Sequence, residues 1–178
     1  GADTLTALVE NTTTGTASLE DTLADMGYSA SFRALLSDWA AANFLDDKSV
    51  ADGRYGYDSF SVPALTTLGP FVVGEVAASR TVVPTGAFYY VFDLSTLSVD
   101  TTVEVVLDSA GWQDLDVRII AMAAGQTTGA TVTSVAPDAQ STGFVIDGVG
   151  GSVDQLVVVI TSTGISDIAI DSVSVNTL

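Results

Sequence analysis

The chain contains no histidine and no cysteine, and these absences exclude most of the side-chain chemistry that enzymes use. Without histidine there is no Ser-His-Asp triad, no imidazole general base and no histidine-ligated zinc site. Without cysteine there is no disulfide and no thiol nucleophile. Serine and threonine are abundant, but a hydroxyl nucleophile needs an activating base, and Lys48 is the single lysine. We therefore predict that the chain is not itself an enzyme.

Positive charge is also scarce. Five lysines and arginines stand against 22 aspartates and glutamates, so the formal net charge is -17 at pH 7. A field of this sign repels nucleic-acid backbones and anionic lipid headgroups. No apolar run approaches the roughly 20 residues of a membrane-spanning helix, although the mean hydropathy is +0.44. We therefore predict no nucleic-acid partner and no membrane insertion. The Asp, Thr, Ser, Val and Gly-rich composition is typical of exported bacterial β-domains and predicts a secreted or cell-surface protein.

The first sixty residues have helical periodicity. SLEDTLADMG predicts a helix that begins at a Ser18 cap and stops before Gly27, and the next helix is capped by Ser29 or Ser31. That second helix carries its large apolar side chains at helical spacing, which predicts one buried stripe. The stripe consists of Phe32, Leu35, Leu36 and Trp39.

From about residue 61 the hydrophobic period changes to two, the period of β-strands. GAFYYVFDL alternates so that every second residue is large and apolar, and eight or nine such short segments follow one another without a helical segment between them. Crossover helices are therefore absent, which argues against a parallel sheet. The prediction is a mainly β fold, an antiparallel β-sandwich of the jelly-roll type preceded by a small N-terminal helical segment.

The predicted organisation has three parts: a helical segment at residues 1–60, a linker at 61–69, and the β-sandwich domain at 70–178. Near the C-terminus, the pair Thr163-Gly164 lies between the last two predicted strands. Such a turn predicts that these strands form a hairpin.

Two groups of aspartates are candidate calcium ligands, because calcium is a hard cation that takes six to eight oxygen ligands. The first group crowds the end of the long helix and comprises Asp46, Asp47, Asp52 and Asp58. Its spacing differs from that of the D-x-D-x-D-G loop, since Lys48 and Val50 stand where ligands are expected. The alternative is a solvated helix end with Asp52-Gly53 forming a turn.

The second group comprises Asp108, Asp114 and Asp116, around a loop that contains Gly111 and Trp112. Two of these aspartates are two residues apart at a strand entry, so their side chains would point the same way. The alternative is a polar loop. Trp112 is a candidate ligand-binding residue that would stack on a sugar ring, and the alternative is that it plugs the end of the sandwich.

The stretch FRALLSDWAAANFLDD, followed by ADGRYGY, resembles the end of the catalytic domain in secreted bacterial zinc metallopeptidases of the immune-inhibitor-A type. In that family a helix ends in a similar aspartate-rich stretch, a Tyr-Gly-Tyr follows, and then a β-sandwich. The matching residues are Asp38, Trp39, Ala42, Asn43, Leu45, Asp46, Asp47, Tyr55, Gly56 and Tyr57. The helices before this stretch are also similar, so the resemblance covers residues 4–57, and over the sandwich it is generic.

The zinc of that family sits on a His-Glu-x-x-His helix earlier in the chain, a motif that this sequence lacks, so no catalytic residue is carried over. The resemblance implies a non-catalytic C-terminal accessory region of an exported metallopeptidase-like protein, serving as a scaffold or a binding module. Its partner would be an upstream peptidase domain of a longer parent chain, and Trp39 would pack either on that domain or on the sandwich. Polysaccharide or protein at the cell surface is a further candidate partner. The alternative hypothesis is a calcium-stabilised carbohydrate-binding or adhesive β-sandwich.

Overall fold

The computed structural model describes residues 2–59 and 61–178, with side chains from residue 6 onward. Residues 1 and 60, which end the predicted helical segment, lie outside the described residues. Three helices come first: α1 (Ala2–Glu10), α2 (Thr16–Asp25) and α3 (Phe32–Leu45). The strands that follow are β1 (Leu68–Val72), β2 (Val76–Ala77), β3 (Arg80–Val82), β4 (Ala87–Asp93), β5 (Thr101–Asp108), β6 (Leu115–Ala123), β7 (Gln126–Val135), β8 (Ser141–Val149), β9 (Gln155–Ser162), β10 (Ile168–Ile170) and β11 (Ser172–Thr177). Single turns of 3₁₀ helix occur at Ala51–Gly53 and Trp112–Asp114. No helix in the described part of the chain has the length and hydropathy needed to cross a membrane.

The chain divides into two compact units, Gly1–Leu36 and Ser37–Leu178. The predicted linker at 61–69 falls inside the second unit. That residues 1–60 and 70–178 form separate domains stays a prediction.

In the first unit, one asparagine joins the loop before α2 to that helix. The Asn11 amide donates to the Ser18 carbonyl oxygen at 3.2 Å and to Thr22 Oγ1 at 3.1 Å. The predicted Ser18 cap is wrong, because the helix already begins at Thr16 after Gly15, whose φ of 70° turns the chain into it. The predicted cap at Ser31 is confirmed, since its Oγ accepts a hydrogen bond from the Ala34 backbone N–H at 3.2 Å.

The second unit is built on two facing sheets. A five-stranded sheet has the order β1-β4-β9-β6-β7, a four-stranded sheet has the order β2-β11-β5-β8, and β3 and β10 form a separate pair. Every pairing is antiparallel except that of β1 with β4. The predicted fold class, a mainly β antiparallel sandwich after a small helical segment, is confirmed. The described strands number eleven rather than eight or nine, because two predicted strands each divide in two and β3 was not predicted.

The period-two alternation correctly predicts the two faces of β4. Tyr90, Phe92 and Leu94 lie in the core between the sheets, while Tyr89 and Val91 lie in a second hydrophobic cluster on the outer face of the five-stranded sheet. The central strands of this sheet are therefore buried on both faces. This double burial accounts for the long apolar runs in β6 and β9.

The predicted hairpin at Thr163-Gly164 is wrong. β9 lies between β4 and β6, whereas β10 pairs with β3 and β11 lies between β2 and β5. The chain therefore crosses from one sheet to the other after β9. At the exit from β9, the N–H and Oγ1 of Thr163 both donate to the Asp114 carbonyl oxygen, at 2.8 and 3.0 Å, which holds this turn against the second 3₁₀ turn.

Candidate functional site

The C-terminal part of α3 packs on the outer face of the five-stranded sheet through small side chains. Ala40, Ala41 and Leu45 are buried there against Tyr89 and neighbouring strand residues. Alanine allows a helix backbone to approach a sheet closely, and the approach is close enough for the Tyr89 hydroxyl to donate to the Ala40 carbonyl oxygen at 3.1 Å. Burial raises the pKa of Tyr89 to about 12. The second hydrophobic cluster is thus formed by helix and sheet together.

The predicted apolar stripe of α3 is wrong at Trp39, whose side chain is 56% exposed. The buried apolar positions of α3 in the second unit are those of the alanines and Leu45, and Trp39 lies outside that face. The helical spacing predicts burial of the largest side chains. In the structure the helix approaches the sheet closely, and alanines occupy most of the buried positions. Among the ten residues that carry the peptidase resemblance, Trp39 is the large apolar one left open to solvent.

Buried hydroxyls add a polar contact to the same helix–sheet junction. Ser37 Oγ on α3 and Thr161 Oγ1 on β9 are 2.6 Å apart, and both residues are fully buried. Thr161 Oγ1 in turn donates to the Asp116 carbonyl oxygen at 3.2 Å. Because buried polar groups are costly unless they are paired, this chain of bonds fixes the position of α3 on the sheet.

Arg118 is the charged centre of the junction. Its Nε donates to Asp38 Oδ1 on α3 at 2.9 Å, and its Nη1 donates to Asp116 Oδ1 on β6 at 3.1 Å. The Arg118 side chain is only 4% exposed, so the ion pairs are poorly screened by water. Tyr55 adds a longer bond, from its hydroxyl to Asp38 Oδ1 at 3.3 Å.

We call residues 38–57 the clasp. They comprise the C-terminal part of α3 and the segment after it, which folds back against the helix. The Tyr57 hydroxyl donates to Asn43 Oδ1 at 2.7 Å, and the Asp47 N–H donates to the Tyr55 carbonyl oxygen at 2.9 Å. Gly56 is required where the two segments touch, since a Cβ there would lie 2.5 Å from the Lys48 nitrogen. The Tyr-Gly-Tyr therefore holds the following segment against the C-terminal end of α3.

Asp46 and Asp47 fix the clasp to its surroundings. Asp46 follows α3 with a φ of 42°, and its two carboxylate oxygens accept from the N–H groups of Tyr57 and Val62, each at 3.3 Å. Asp47 accepts from the N–H and Oγ of Ser49, and from the hydroxyls of Thr127 and Thr128 at 2.9 and 3.1 Å. The Ser49 side-chain bond, followed by the Ser49 backbone bond and the Thr127 bond, lowers the pKa of Asp47 to about 2.

The remaining aspartates of the first predicted calcium group, Asp52 and Asp58, have other surroundings. Asp58 forms an ion pair with Lys48, which lowers the pKa of Asp58. Asp52 lies in the 3₁₀ turn with a φ of 57°. Among the residues whose side chains the structure describes, 6–59 and 61–178, no group of three or more acidic side chains is arranged to hold a metal ion. Calcium binding by these residues stays a prediction.

The three aspartates of the second predicted calcium group also lie in different elements. Asp108 lies at the end of β5 opposite Ser141 and Ser172, Asp114 lies in the second 3₁₀ turn, and Asp116 lies buried in β6. The ion pair with Arg118 gives Asp116 a structural role that the sequence analysis did not assign.

Trp112 opens the second 3₁₀ turn and is partly buried. It belongs to neither of the two hydrophobic clusters formed by the described residues. Gly111 before it packs tightly, since a Cβ at that position would lie 2.5 Å from Ile168 Cγ2. Ligand binding by Trp112 stays a prediction.

Comparisons with known proteins give little beyond the fold described above. No protein-family model matches the chain, and no curated protein matches it. Among solved structures, the pre-peptidase C-terminal domain of collagenase from Bacillus anthracis is similar with a TM-score of 0.48 and 4% identity, over 64% of this chain and 99% of that one. The Yersinia pseudotuberculosis-derived mitogen has a TM-score of 0.40 and 13% identity, over 56% of this chain and 86% of that one. These likenesses are too weak to carry a functional argument. The resemblance of residues 4–57 to immune-inhibitor-A-type peptidases therefore stays a hypothesis.

Proposed function

We propose that this chain is a non-catalytic accessory region of an exported metallopeptidase-like protein, and that α3 presents Trp39 to the upstream peptidase domain. The observation that carries the proposal is that Trp39 differs in its exposure from the other residues of the resembling stretch. Its polar residues and its tyrosines close the clasp or bind Arg118, and its Ala42 and Leu45 are buried, whereas Trp39 is 56% exposed. An exposed tryptophan next to a rigid ion-paired anchor has the character of an interface hot spot.

The anchoring of α3 supports this role. Ser37, Asp38 and the alanines of α3 are held by contacts on the sheet, so the helix backbone that carries Trp39 is in place before any partner arrives. A preorganised contact residue loses less conformational entropy on binding. The sandwich would thus serve as the rigid support on which the end of a peptidase domain rests.

The test uses a zinc peptidase domain of the immune-inhibitor-A type, truncated before its counterpart of residues 4–57, as the probe. Addition of the chain should raise the melting temperature of the truncated domain in a concentration-dependent way. The W39A variant should abolish this rise, and W112A, which changes the other tryptophan, should retain it. No rise at a large molar excess of the chain, or an equal rise with W39A, would contradict the proposal.

A calcium-stabilised carbohydrate-binding sandwich remains the second candidate, favoured by Trp112, which lies outside both hydrophobic clusters. Under this hypothesis the chain binds insoluble polysaccharide, W112A loses binding, and W39A does not. Millimolar calcium would also raise the melting temperature more than magnesium does, because carboxylate clusters distinguish the two ions. Equal shifts with both ions would indicate screening of the acidic surface.

A further inference from the structure

A cleft of about 400 Å³ lies between the edges of the two sheets, away from α3 and the clasp. β7 is the last strand of the five-stranded sheet, and β8 is the last strand of the four-stranded sheet. The cleft is lined by residues of β6, β7 and β8, with Ile119 and Val149 almost fully buried in it. The sandwich is therefore open along one side, with an apolar floor between two strand edges.

The inward side of β7 is partly polar: Val135 packs against the core, but the two residues before it on the same face are threonines. Ala130 and Val132 of β7 belong to the hydrophobic cluster on the outer face, so the alternating Thr131 and Thr133 face the other way, toward the second sheet. Both threonines are exposed and line the cleft. The side chains of Thr131 and Thr133 thus leave this part of the space between the sheets unfilled.

Both edge strands lack the residues that usually block further strand pairing. β7, with the sequence QTTGATVTSV, has no charged residue and no proline, and β8, with the sequence STGFVIDGV, has Asp147 as its one charge. Natural sheets commonly protect long edges with lysine, proline or a covering segment. β7 is irregular between Gln126 and Thr131, where the clasp also binds it, and β8 is irregular between Ile146 and Val149. The regular edges that remain, residues 131–135 of β7 and 141–146 of β8, are short but unprotected and can accept an added strand.

Charge indicates the kind of strand that would be added. Asp147 is exposed on the lining of the cleft, and its Oδ1 accepts from Thr102 Oγ1 at 2.7 Å, which fixes the carboxylate on the surface of β8. A second copy of the chain would bring another net charge of -17 to this edge, and like charges oppose that pairing. A basic segment has the complementary sign.

We propose that the cleft between β7 and β8 binds an extended polypeptide segment that carries a basic residue. The segment adds as a strand to an edge of the cleft, its alternate apolar side chains enter toward Ile119 and Val149, and its basic side chain pairs with Asp147. This site is separate from Trp39 and does not depend on the proposed docking of a peptidase domain.

The probe is a fluorescein-labelled peptide, Lys-Val-Thr-Val-Thr-Val-Lys, titrated with the full chain and followed by fluorescence anisotropy. Binding should weaken about tenfold in T133W, whose indole fills the cleft, and severalfold in D147N, which keeps the acceptor for Thr102 but removes the charge. V72W, at the exposed position on β1 at the opposite edge of the same sheet, and W39A should bind as the wild type does.

Two further peptides separate strand addition from simple charge attraction. The same peptide with N-methylated valines keeps its charge but loses backbone donors, and it should not bind. The peptide with glutamate in place of lysine should bind about tenfold more weakly, because its charge repels Asp147.

Three outcomes would overturn the proposal. They are the absence of lysine-peptide binding at millimolar chain, equal binding of the N-methylated peptide, and wild-type affinity in a T133W variant that circular dichroism shows to be folded. Concentration-dependent self-association that T133W removes would assign the cleft to a second copy instead, and analytical ultracentrifugation distinguishes that case.

Discussion

The Nε atom of Arg118 lies 2.9 Å from Oδ1 of Asp38, so a nearly buried cation on a central strand holds the helix that precedes the sandwich. Asp116, two residues before Arg118 on the same strand, accepts from the other side of the guanidinium at 3.1 Å. The single arginine thus neutralises two carboxylates at the helix–sheet junction. Removal of the arginine would break both of these ion pairs and leave Asp38 with the longer contact to Arg54, at 4.0 Å.

Replacement of Arg118 by leucine should lower the free energy of unfolding by about 3 kcal/mol, because breaking a buried pair leaves uncompensated charge. Urea denaturation at pH 7 measures this change. The control is R80L, at an arginine that is exposed on β3, which should stay within ~0.5 kcal/mol of the wild type. An R118L variant as stable as R80L would mean that water already screens Asp38 and Asp116.

Substitution of Gly56 by alanine should open the clasp. The added Cβ would lie 2.5 Å from the Lys48 nitrogen, a backbone atom that cannot rotate away, so we expect a loss of about 2 kcal/mol. Limited proteolysis of the irregular segment before β1 should also become faster. Gly164 is the milder control, since its Cβ would meet the nearest atom at 3.0 Å. Equal effects of G56A and G164A would contradict a specific role of Gly56 in the clasp.

Substitution of Ala51 by glycine should stabilise the protein. Ala51 has a φ of 48°, a left-handed conformation that costs an L-residue roughly 1 kcal/mol and glycine almost nothing. The gain is reduced by the larger entropy of glycine in the unfolded chain, so a rise of a few degrees in melting temperature is expected. A139G, at an exposed loop alanine outside the positive-φ positions, should give no rise. A fall with A51G would show that the strain is absent in solution.

The fold could be predicted from the sequence where one periodicity dominates. The alternation of β4 correctly assigned Tyr90 and Phe92 to one face and Tyr89 and Val91 to the other, because strand side chains alternate strictly. The hairpin at Thr163-Gly164 was wrong, because local turn residues do not reveal which sheet the next strand joins. The residues at this turn have partners distant in sequence, such as the Asp114 carbonyl oxygen, some fifty residues earlier in the chain.

The site was harder to predict than the fold. The aspartates near the helix end predict a calcium site. In the structure, Asp46 and Asp47 accept hydrogen bonds from backbone N–H groups and hydroxyls, and two of these hydroxyls belong to Thr127 and Thr128. Partners eighty residues away have no signature in the local pattern. One signal was available and missed: Arg118 interrupts the apolar strand LDVRIIAMA, and an arginine in a doubly buried strand requires a carboxylate partner.

The bonds of Asp47 should make part of the stability depend on pH. Its pKa is lowered from the ordinary 3.8 to about 2 in the folded protein, so the folded state holds the proton less tightly than the unfolded chain does. The resulting stabilisation is present above pH 3.8 and is lost as the pH falls toward 2. In D47N the side chain cannot ionise, so melting temperatures of D47N and the wild type should converge over this interval. D52N, at the exposed aspartate of the neighbouring turn, should follow the wild-type profile. A difference between D47N and the wild type that stays constant from pH 6 to pH 2 would mean that Asp47 contributes through hydrogen-bond geometry and not through its charge.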